Sequence, residues 1–362
     1  MLPTRYDLTP DALGELLADQ PAYRARQVWE GLHQRLLAPD EMTDLPTALR
    51  QRLTQELPTA LTERDRTIAD DGQTTKWLFE LDGGAQVETV LMAYPDRVTA
   101  CVSSQAGCAM GCTFCATGQA GFTRQLTTGE IVEQVAVAAR AALPRRLSRI
   151  VFMGMGEPMA NYDRVWAAIR RLHGDMGFSA RHLTVSTVGL VPGIKKMTDE
   201  DLPVNLAVSL HAANDTLRNE LVPINKRYPL AVLAEACRHY VDTSGRRLSF
   251  EWALIDGVND RPSDAAELAE FARPLRAHVN LIPLNPTPGY LVRGTPPEGV
   301  RGFRNQLTRL GINATVRVTR GSEIAAACGQ LAAPQTAPVR LRTRVSGPAS
   351  SSDSGPASSS DS

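Results

Sequence analysis

The sequence has no net charge, no long apolar run, and no cysteine pattern of the kind that builds a disulfide scaffold. Over 362 residues Lys and Arg total 39, and Asp and Glu also total 39. A polyanionic partner therefore cannot be inferred from the global balance and would need a local patch. No apolar run is long enough to span a bilayer and no signal-peptide pattern opens the chain, so the expectation is a cytoplasmic protein without a membrane partner. No compact RNA-binding signature such as that of an RRM is visible. The six cysteines, read in a reducing compartment, suggest metal ligands or catalytic thiols before disulfides.

What the chain does contain is ample core material. A hydrophobic content of 43% at this length suits one large α/β domain with a small appendage, or two ordinary domains. The first seventy residues read as helical. Thr9-Pro10 offers an N-cap followed by proline at the first helical position, with Leu13, Leu16 and Leu17 on one face. Val28, Leu32 and Leu36 form a second stripe, and Leu45, Leu49 and Leu53 a third. Short strands are expected at 77–81 and 87–92. From about residue 98, β-rich runs at 98–102, 149–153, 183–186, 204–210, 248–254 and 279–284 alternate with helical stretches such as 129–141 and 230–241. That alternation predicts right-handed βαβ units around a parallel sheet, and six units suit a partial (β/α)6 barrel better than a closed eightfold one. A last strand is expected at 314–318. The resulting division is a helical accessory segment at 1–70, connecting strands at 71–97, the barrel with a C-terminal cysteine loop at 98–332, and a tail at 333–362.

Charge and low complexity concentrate toward the C-terminal end. Residues 301–344 hold Arg301, Arg304, Arg309, Arg317, Arg320, Arg340, Arg342 and Arg344 against the single acid Glu323, a basic segment that suits either phosphate contacts or a solvated surface. The octapeptide GPASSSDS at 347–354 is repeated without change at 355–362. Such a tract cannot offset its ordering entropy and is expected to be disordered.

Four of the six cysteines, Cys101, Cys108, Cys112 and Cys115, fall within fifteen residues. The C-x3-C-x2-C run follows the first barrel strand, where parallel barrels gather their chemistry. Three thiolates on one loop can wrap an iron–sulfur cubane and leave its fourth iron open. A four-thiolate zinc site that includes Cys101 is the alternative, since soft thiolates suit both; the spacing of Cys101 differs from a paired C-x2-C knuckle. Cys237 sits in a helical stretch with no motif and reads as packing.

This run, with Phe114 before its last cysteine, resembles the radical S-adenosylmethionine superfamily. The blocks GCAMGCTFCATG (107–118), FMGMGEP (152–158), TVSTVG (184–189), LAVSLH (206–211) and EIAAACGQ (323–330) occur in that order. Together they resemble the bacterial RNA adenine-C2 methyltransferases that act on 23S rRNA and tRNA, over residues 10–332. Position 322 is Ser where this family leads one to expect an acid.

The resemblance implies a set of roles. Cys108, Cys112 and Cys115 would ligate a 4Fe–4S cluster. Gly156, Glu157, Ser186, Ser209, Leu210, His211 and Asn285 would contact S-adenosylmethionine, consumed twice per turnover. Cys328 would carry a methyl group, Cys101 would resolve its thioether, and Glu88 would accept a proton. From the residues alone, Cys328 is a small hydrophobe among alanines, Glu88 the solvent face of an alternating strand, and His211 a structural histidine. The implied partners are 23S rRNA, tRNA and an electron donor such as flavodoxin. The helical N-terminal segment, including Tyr23-Arg24-Ala25-Arg26-Gln27, resembles an RNA-positioning appendage. A sister family that methylates adenine C8 uses the same cysteines, and a zinc-stabilised RNA-binding protein without activity is the alternative from another class.

Overall fold

A computed structural model describes residues 4–285, 287, 292–317, 320–327 and 329–331. Cys328 and the 333–362 tail lie outside the described residues, as does the end of the strand expected at 314–318.

Twelve strands are numbered along the chain. They are β1 (Thr62–Ala69), β2 (Thr74–Glu80), β3 (Gln86–Ala93), β4 (Val98–Cys101), β5 (Gln105–Gly107), β6 (Phe122–Gln125), β7 (Arg149–Phe152), β8 (Leu183–Thr187), β9 (Asn205–Ser209), β10 (Ser249–Leu254), β11 (His278–Pro283) and β12 (Ala314–Val316). Ten of them form one sheet in the order β1-β2-β3-β4-β7-β8-β9-β10-β11-β12. From β4 onward every pairing is parallel, and helices fill the crossovers. This is the expected partial barrel, six strands with β12 continuing the parallel run. Alternate residues of β7 to β11, among them Ile150, Phe152, Leu183, Val185, Leu206, Val208, Phe250, Trp252, Val279 and Leu281, are apolar and buried, as a face covered by helices requires, while Ser186, Ser209, Glu251 and Asn280 lie between them.

The first three strands add an antiparallel extension to β4. Here the structure departs from the helical reading of the first seventy residues: the helices end at Glu56, and Thr62–Ala69 is a strand. Its sequence, TERDRTIA, shows no apolar alternation because it is an edge strand exposed along nearly its whole length. The second helix, Tyr23–His33, also stops short of Leu36, which takes a left-handed φ of 58°. Thr9 does cap the first helix, accepting from the Ala12 N–H at 3.2 Å with Pro10 in the first turn.

The helical segment does not form a core of its own. Leu13, Leu17, Val28, Leu32, Leu49, Leu53 and Leu57 belong to the same contiguous apolar cluster as the barrel strands. The joint is made against the helix Thr128–Ala141, which begins with a capping box between Thr127 and Glu130. The Asp7 carboxylate accepts from the Gly129 N–H at 2.7 Å, and a Cβ at Gly129 would sit 2.5 Å from the Asp7 carboxyl carbon, so only glycine fits. One turn on, Glu133 accepts from the Ala60 N–H at 2.7 Å.

Glu133 is the titratable group at this joint. Burial pushes its carboxyl up to about 7, with Asp7 and Glu130 adding to the rise and the Ala60 N–H and Arg5 opposing it. Unfolded, it ionises near the ordinary 4.5. Between those values the folded chain keeps a proton that the unfolded chain has released, so stability falls as pH rises from 4.5 to 7 and the full penalty stands above 7. Glu133→Gln keeps the acceptor for Ala60 and removes the charge. The unfolding free energy from urea denaturation at pH 8 is expected to rise, by up to about 3 kcal/mol, with no comparable gain at pH 4.5.

Candidate active site and cofactor pocket

The cysteine loop is a closed excursion. β5 and β6 pair antiparallel on either side of it, and the Cys108 N–H donates to the Gly121 carbonyl at 2.7 Å. Gly107 closes the neck with φ +75°; a Cβ there would lie 2.0 Å from the Gly121 oxygen. Between these anchors Gly111 turns the chain at φ +65°, and Cys108, Cys112 and Cys115 all reach the wall of one cavity.

That cavity, about 1030 Å³ measured out to its mouth, lies at the carboxyl ends of the parallel strands. Six of the residues expected to bind cofactor line it with the three thiols: Gly156, Glu157, Ser186, Ser209, His211 and Asn285. Leu210 does not; its side chain is fully buried in the core, and its carbonyl accepts from Arg218 Nε at 3.0 Å. Glu88 lies outside this cavity, on β3, where its carboxylate is 2.8 Å from Lys76 Nζ. Cys101 lines a second, smaller cavity with Met92, Tyr94, Ala326 and Ala327. The two cavities share Met153, Ile282, Asn285, Arg317 and Leu331 as a common wall. On either side of position 328, Ala327 lines the second cavity and Gly329 the first.

Glu157 ends a short chain of buried polar bonds. Its carboxylate accepts from the Met159 N–H at 3.0 Å and the Val188 N–H at 2.9 Å, tying the end of β7 to the end of β8. Its own N–H donates to Gln105 Oε1 at 2.7 Å, and Met155 donates to Ser103 Oγ at 2.9 Å. Burial pushes the Glu157 carboxyl up to about 7 although these amide donors oppose the rise. The neighbouring glycines serve packing as well as ligand approach. A Cβ at Gly154 would sit 2.7 Å from the Val102 oxygen, and one at Gly156 would sit 2.6 Å from the Gln105 Cβ.

His211 is held in a left-handed conformation, φ 59°, that a non-glycine residue adopts only when its surroundings enforce it. Asn259 enforces it, donating to the carbonyls of His211 and Ala253 at 2.8 and 2.7 Å and accepting from the Ile255 N–H at 2.8 Å. Burial first and the nearby Arg218 charge second push the imidazole down to about 3. It is neutral, and since Nδ1 accepts from the Ala253 N–H at 2.9 Å, its proton is on Nε2. Phe114 of the cysteine loop packs edge-on against it, ring centroids 4.6 Å apart.

The donor set fits an iron–sulfur cluster. Three soft thiols on one loop face one cavity, and the rest of its wall offers a carboxylate, hydroxyls, a neutral imidazole and backbone for a polar ligand. Burial pushes the Cys108 thiol up to about 12 and the Cys112 thiol well above its ordinary value, so loading releases protons. Among the described residues no three His, Cys, Asp or Glu side chains converge as ligands of a single ion would.

Three contributors to the site carry no motif. Arg218 has no exposed surface, yet its guanidinium donates to the carbonyls of Leu210 and Val188 at 3.0 and 2.8 Å and to Asn225 Oδ1 at 2.7 Å. Glu251, at 3% exposure, sits in the cavity wall from β10. Lys76 pairs with Glu88 and reaches toward the Ala325 carbonyl at 3.4 Å. The Arg-rich segment also divides. Arg301, Arg304 and Arg309 are exposed along one helix, whereas Arg317 lines the cavities and Arg320 donates to Gln73 at 2.8 Å. Arg340, Arg342 and Arg344 lie outside the described residues.

The sequence profile of the radical SAM superfamily matches residues 102–272. The chain is 52% identical to a probable dual-specificity RNA methyltransferase RlmN of Chloroflexus aurantiacus, over 92% of this chain and 94% of that protein. It is 54% identical to a protein of the same description from Salinispora tropica, over 87% of this chain and 88% of that one. Its structure is similar to that of a radical SAM methyltransferase from Sphaerobacter thermophilus, with a TM-score of 0.88, 52% identity, and coverage of 91% and 99% of the two chains.

Arg218→Ala is expected to strand three buried acceptors, the carbonyls of Val188 and Leu210 at the ends of β8 and β9 and the Asn225 side-chain oxygen, at a cost of about 3 kcal/mol or more. Urea denaturation measures that loss directly. Arg218→Lys should recover only part of it, because an ammonium lacks the planar fork that serves three acceptors at once.

Proposed function

The chain belongs to the RlmN family of radical SAM methyltransferases, and on that premise we propose that it methylates C2 of a specific adenine in 23S rRNA and of the adenine beside the tRNA anticodon. The observation that carries this reading is the single cavity in which all three thiols of the C-x3-C-x2-C loop meet Gly156, Glu157, Ser186, Ser209, His211 and Asn285.

In this reading Cys108, Cys112 and Cys115 hold a 4Fe–4S cluster, and Glu157, Ser186, Ser209, His211 and Asn285 hold S-adenosylmethionine beside it. The cluster, when bound, supplies the electron that cleaves this cofactor to a 5′-deoxyadenosyl radical. An adenine C2–H is neither acidic nor nucleophilic enough for direct methyl displacement, so the protein contributes two thiols. Cys328 displaces a methyl group from a first S-adenosylmethionine, releasing S-adenosylhomocysteine, and transfer of one hydrogen atom from that S-methyl to the 5′-deoxyadenosyl radical leaves a carbon radical that adds to C2. Glu88, held by Lys76, accepts the C2 proton, and the one unpaired electron of the adduct would return to the cluster when bound. Cys101 attacks the Cys328 sulfur so that the carbon–sulfur bond breaks, the released carbon takes up a proton to become the methyl group, and a disulfide forms. Reduction of that disulfide restores both thiols. The placement of Cys101 and Ala327 on the second cavity, which shares a wall with the first, supports a thiol pair working beside the cofactor.

RNA is held in this reading by the N-terminal helices, where Tyr23 is 55% exposed and Arg26 is exposed beside it, and by Arg301, Arg304 and Arg309. Electrons come from a small reductant such as flavodoxin. No helix among the described residues is long and apolar enough to cross a membrane.

Cys101→Ala tests the scheme. Purified without oxygen, the variant is expected to keep its iron and sulfide, and to accumulate RNA attached covalently through Cys328 and resistant to reductant. The Cys101→Ala/Cys328→Ala double variant should form no adduct. Free RNA with normal methyl transfer in the single variant would remove the two-thiol scheme, and a colourless protein with stoichiometric zinc would remove the cluster. Chromatography of the released nucleoside against 2-methyladenosine and 8-methyladenosine standards separates C2 from C8.

A further inference from the structure

The parallel strands begin on a face far more basic than the chain as a whole. The connections that enter β4, β7, β8, β9, β10, β11 and β12 (94–98, 142–149, 175–183, 199–205, 245–249, 273–278 and 310–314) hold nine arginines and five acids. Four of those acids are already committed, Asp96 to Arg97, Asp175 to Arg171, and Glu200 and Asp201 to Arg170. Apart from Arg97, none of the nine arginines makes an ion pair among the described residues. The opposite face, with the cysteine loop and the main cavity, has the reverse character. The segments that leave β4, β7, β8, β9 and β10 there (102–115, 153–161, 188–190, 210–214 and 255–261) hold one arginine, Arg261, which pairs with Asp264 at 3.1 Å. A chain of zero net charge has thus gathered unpaired positive charge on one end of its barrel. Like charges so gathered repel one another until counter-ions or a ligand neutralise them. Arg149, Arg181, Arg247 and Arg276 are exposed, and their side chains make neither hydrogen bond nor ion pair among the described residues. They stand at the starts of β7, β8, β10 and β11, a span in the sheet order of roughly 19 Å at about 4.8 Å per strand.

We infer that this amino-terminal face of the barrel is a track for RNA phosphates, and that the substrate RNA lies across it. The inference rests on the RNA-modifying reading above and says from which side the RNA comes. A guanidinium with no protein partner is the group best shaped to take a phosphate. The second cavity ties the track to the chemistry. Tyr94 follows β3 beside the start of β4, where its N–H donates to the Arg97 carbonyl at 2.8 Å. Arg97 stacks on its ring at 4.1 Å and Arg320 at 5.2 Å, while Arg145 donates to the backbone carbonyls of both Tyr94 and Arg97. The same Tyr94 lines the second cavity, whose wall also contains Cys101 at the far end of β4. A strand held on the arginines therefore lies at the end of a cavity that leads to the resolving thiol. An acidic electron-donor protein has the right charge for this face but the wrong position. The cysteine loop lies over the other ends of the strands, roughly 17 Å away along a strand of β10's length at about 3.3 Å per residue.

The test removes the four unbonded guanidiniums together, as Arg149→Ala/Arg181→Ala/Arg247→Ala/Arg276→Ala. A comparison variant, Lys195→Ala/Lys226→Ala/Arg227→Ala/Arg238→Ala, removes the same charge from exposed positions in the helical layer. Binding of an unmodified tRNA transcript is measured between about 50 and 200 mM salt. Four lost phosphate contacts should make the dependence of log K on log salt shallower by about 3, and affinity in the middle of that range should fall at least about tenfold. The KM for RNA should rise by the same factor while kcat at saturating RNA holds. Urea midpoints should not fall, since these side chains bond to nothing in the fold. The comparison variant should keep wild-type affinity and slope. Unchanged affinity and slope in the first variant, an equal loss in the comparison variant, or a loss that comes with a lower urea midpoint would each overturn the inference. So would slower cluster reduction by flavodoxin with RNA affinity unchanged, which would make this face the donor's. All of these leave the methyltransferase reading standing; a wild type that binds no RNA at any of these salt concentrations would overturn both.

Discussion

Parallel strands end in amides and carbonyls that the following strand cannot pair. In this protein those ends lie beneath the cysteine loop, away from water. Each buried end must find a partner, and the partners found are the frame of the site. The Glu157 carboxylate binds the amides of Met159 and Val188. Arg218 takes the carbonyls of Val188 and Leu210, and Asn259 those of His211 and Ala253. Gln134 accepts from the Ser103 N–H at 2.8 Å and donates to its carbonyl at 3.0 Å, supporting the segment that leads into the loop. These side chains fill the place of a missing ladder. Because they do so with fixed geometry, the atoms left over at the cavity wall are also fixed: the His211 Nε2 proton and the Ser186 and Ser209 hydroxyls.

Preorganisation of this kind has a stability cost. His211 in a left-handed conformation and Glu157 with its carboxyl raised to about 7 are each unfavourable in the empty protein. The surrounding frame holds them nonetheless, through Asn259 and the two amides at Glu157. A ligand that supplies the missing donors relieves part of this cost on binding, which is how a folded scaffold turns stored strain into affinity. Cys108 and Cys112 follow the same logic: burial keeps these thiols protonated until a metal centre takes the protons' place.

The extension formed by β1 to β3 performs a second task. It carries Glu88 on β3 and Lys76 on β2, and its first hairpin receives the segment that leads to position 328. The Gly321 N–H donates to Asp70 Oδ2 at 3.0 Å, and Arg320 donates to Gln73. Lys76 therefore touches both the acid on β3 and the carbonyl of Ala325. Elements more than two hundred residues apart in sequence meet at the smaller cavity. The helical segment, by contrast, is joined to the opposite side through Asp7, Ala60 and the helix Thr128–Ala141, within one continuous apolar core.

Much of this was legible in the sequence because it is local. Barrel strands covered by helices must keep at least alternate positions apolar, so β7 to β11 stood out as β-rich runs; the cysteine loop and the Gly-Met-Gly-Glu-Pro strand end are short motifs whose chemistry is carried by adjacent residues. The edge strand β1 was not legible, since a strand exposed on both faces has no reason to alternate, and its charged sequence passed for the end of a helical region. Nor were Arg218, Glu251 and Lys76. An arginine, a glutamate and a lysine are ordinarily surface residues, and only burial beside named partners distinguishes these three. Sequence by itself determined which residues could bind, through type and local spacing. Tertiary structure alone decided which of their atoms remain available, because that depends on how distant strand ends compete for the same buried hydrogen bonds.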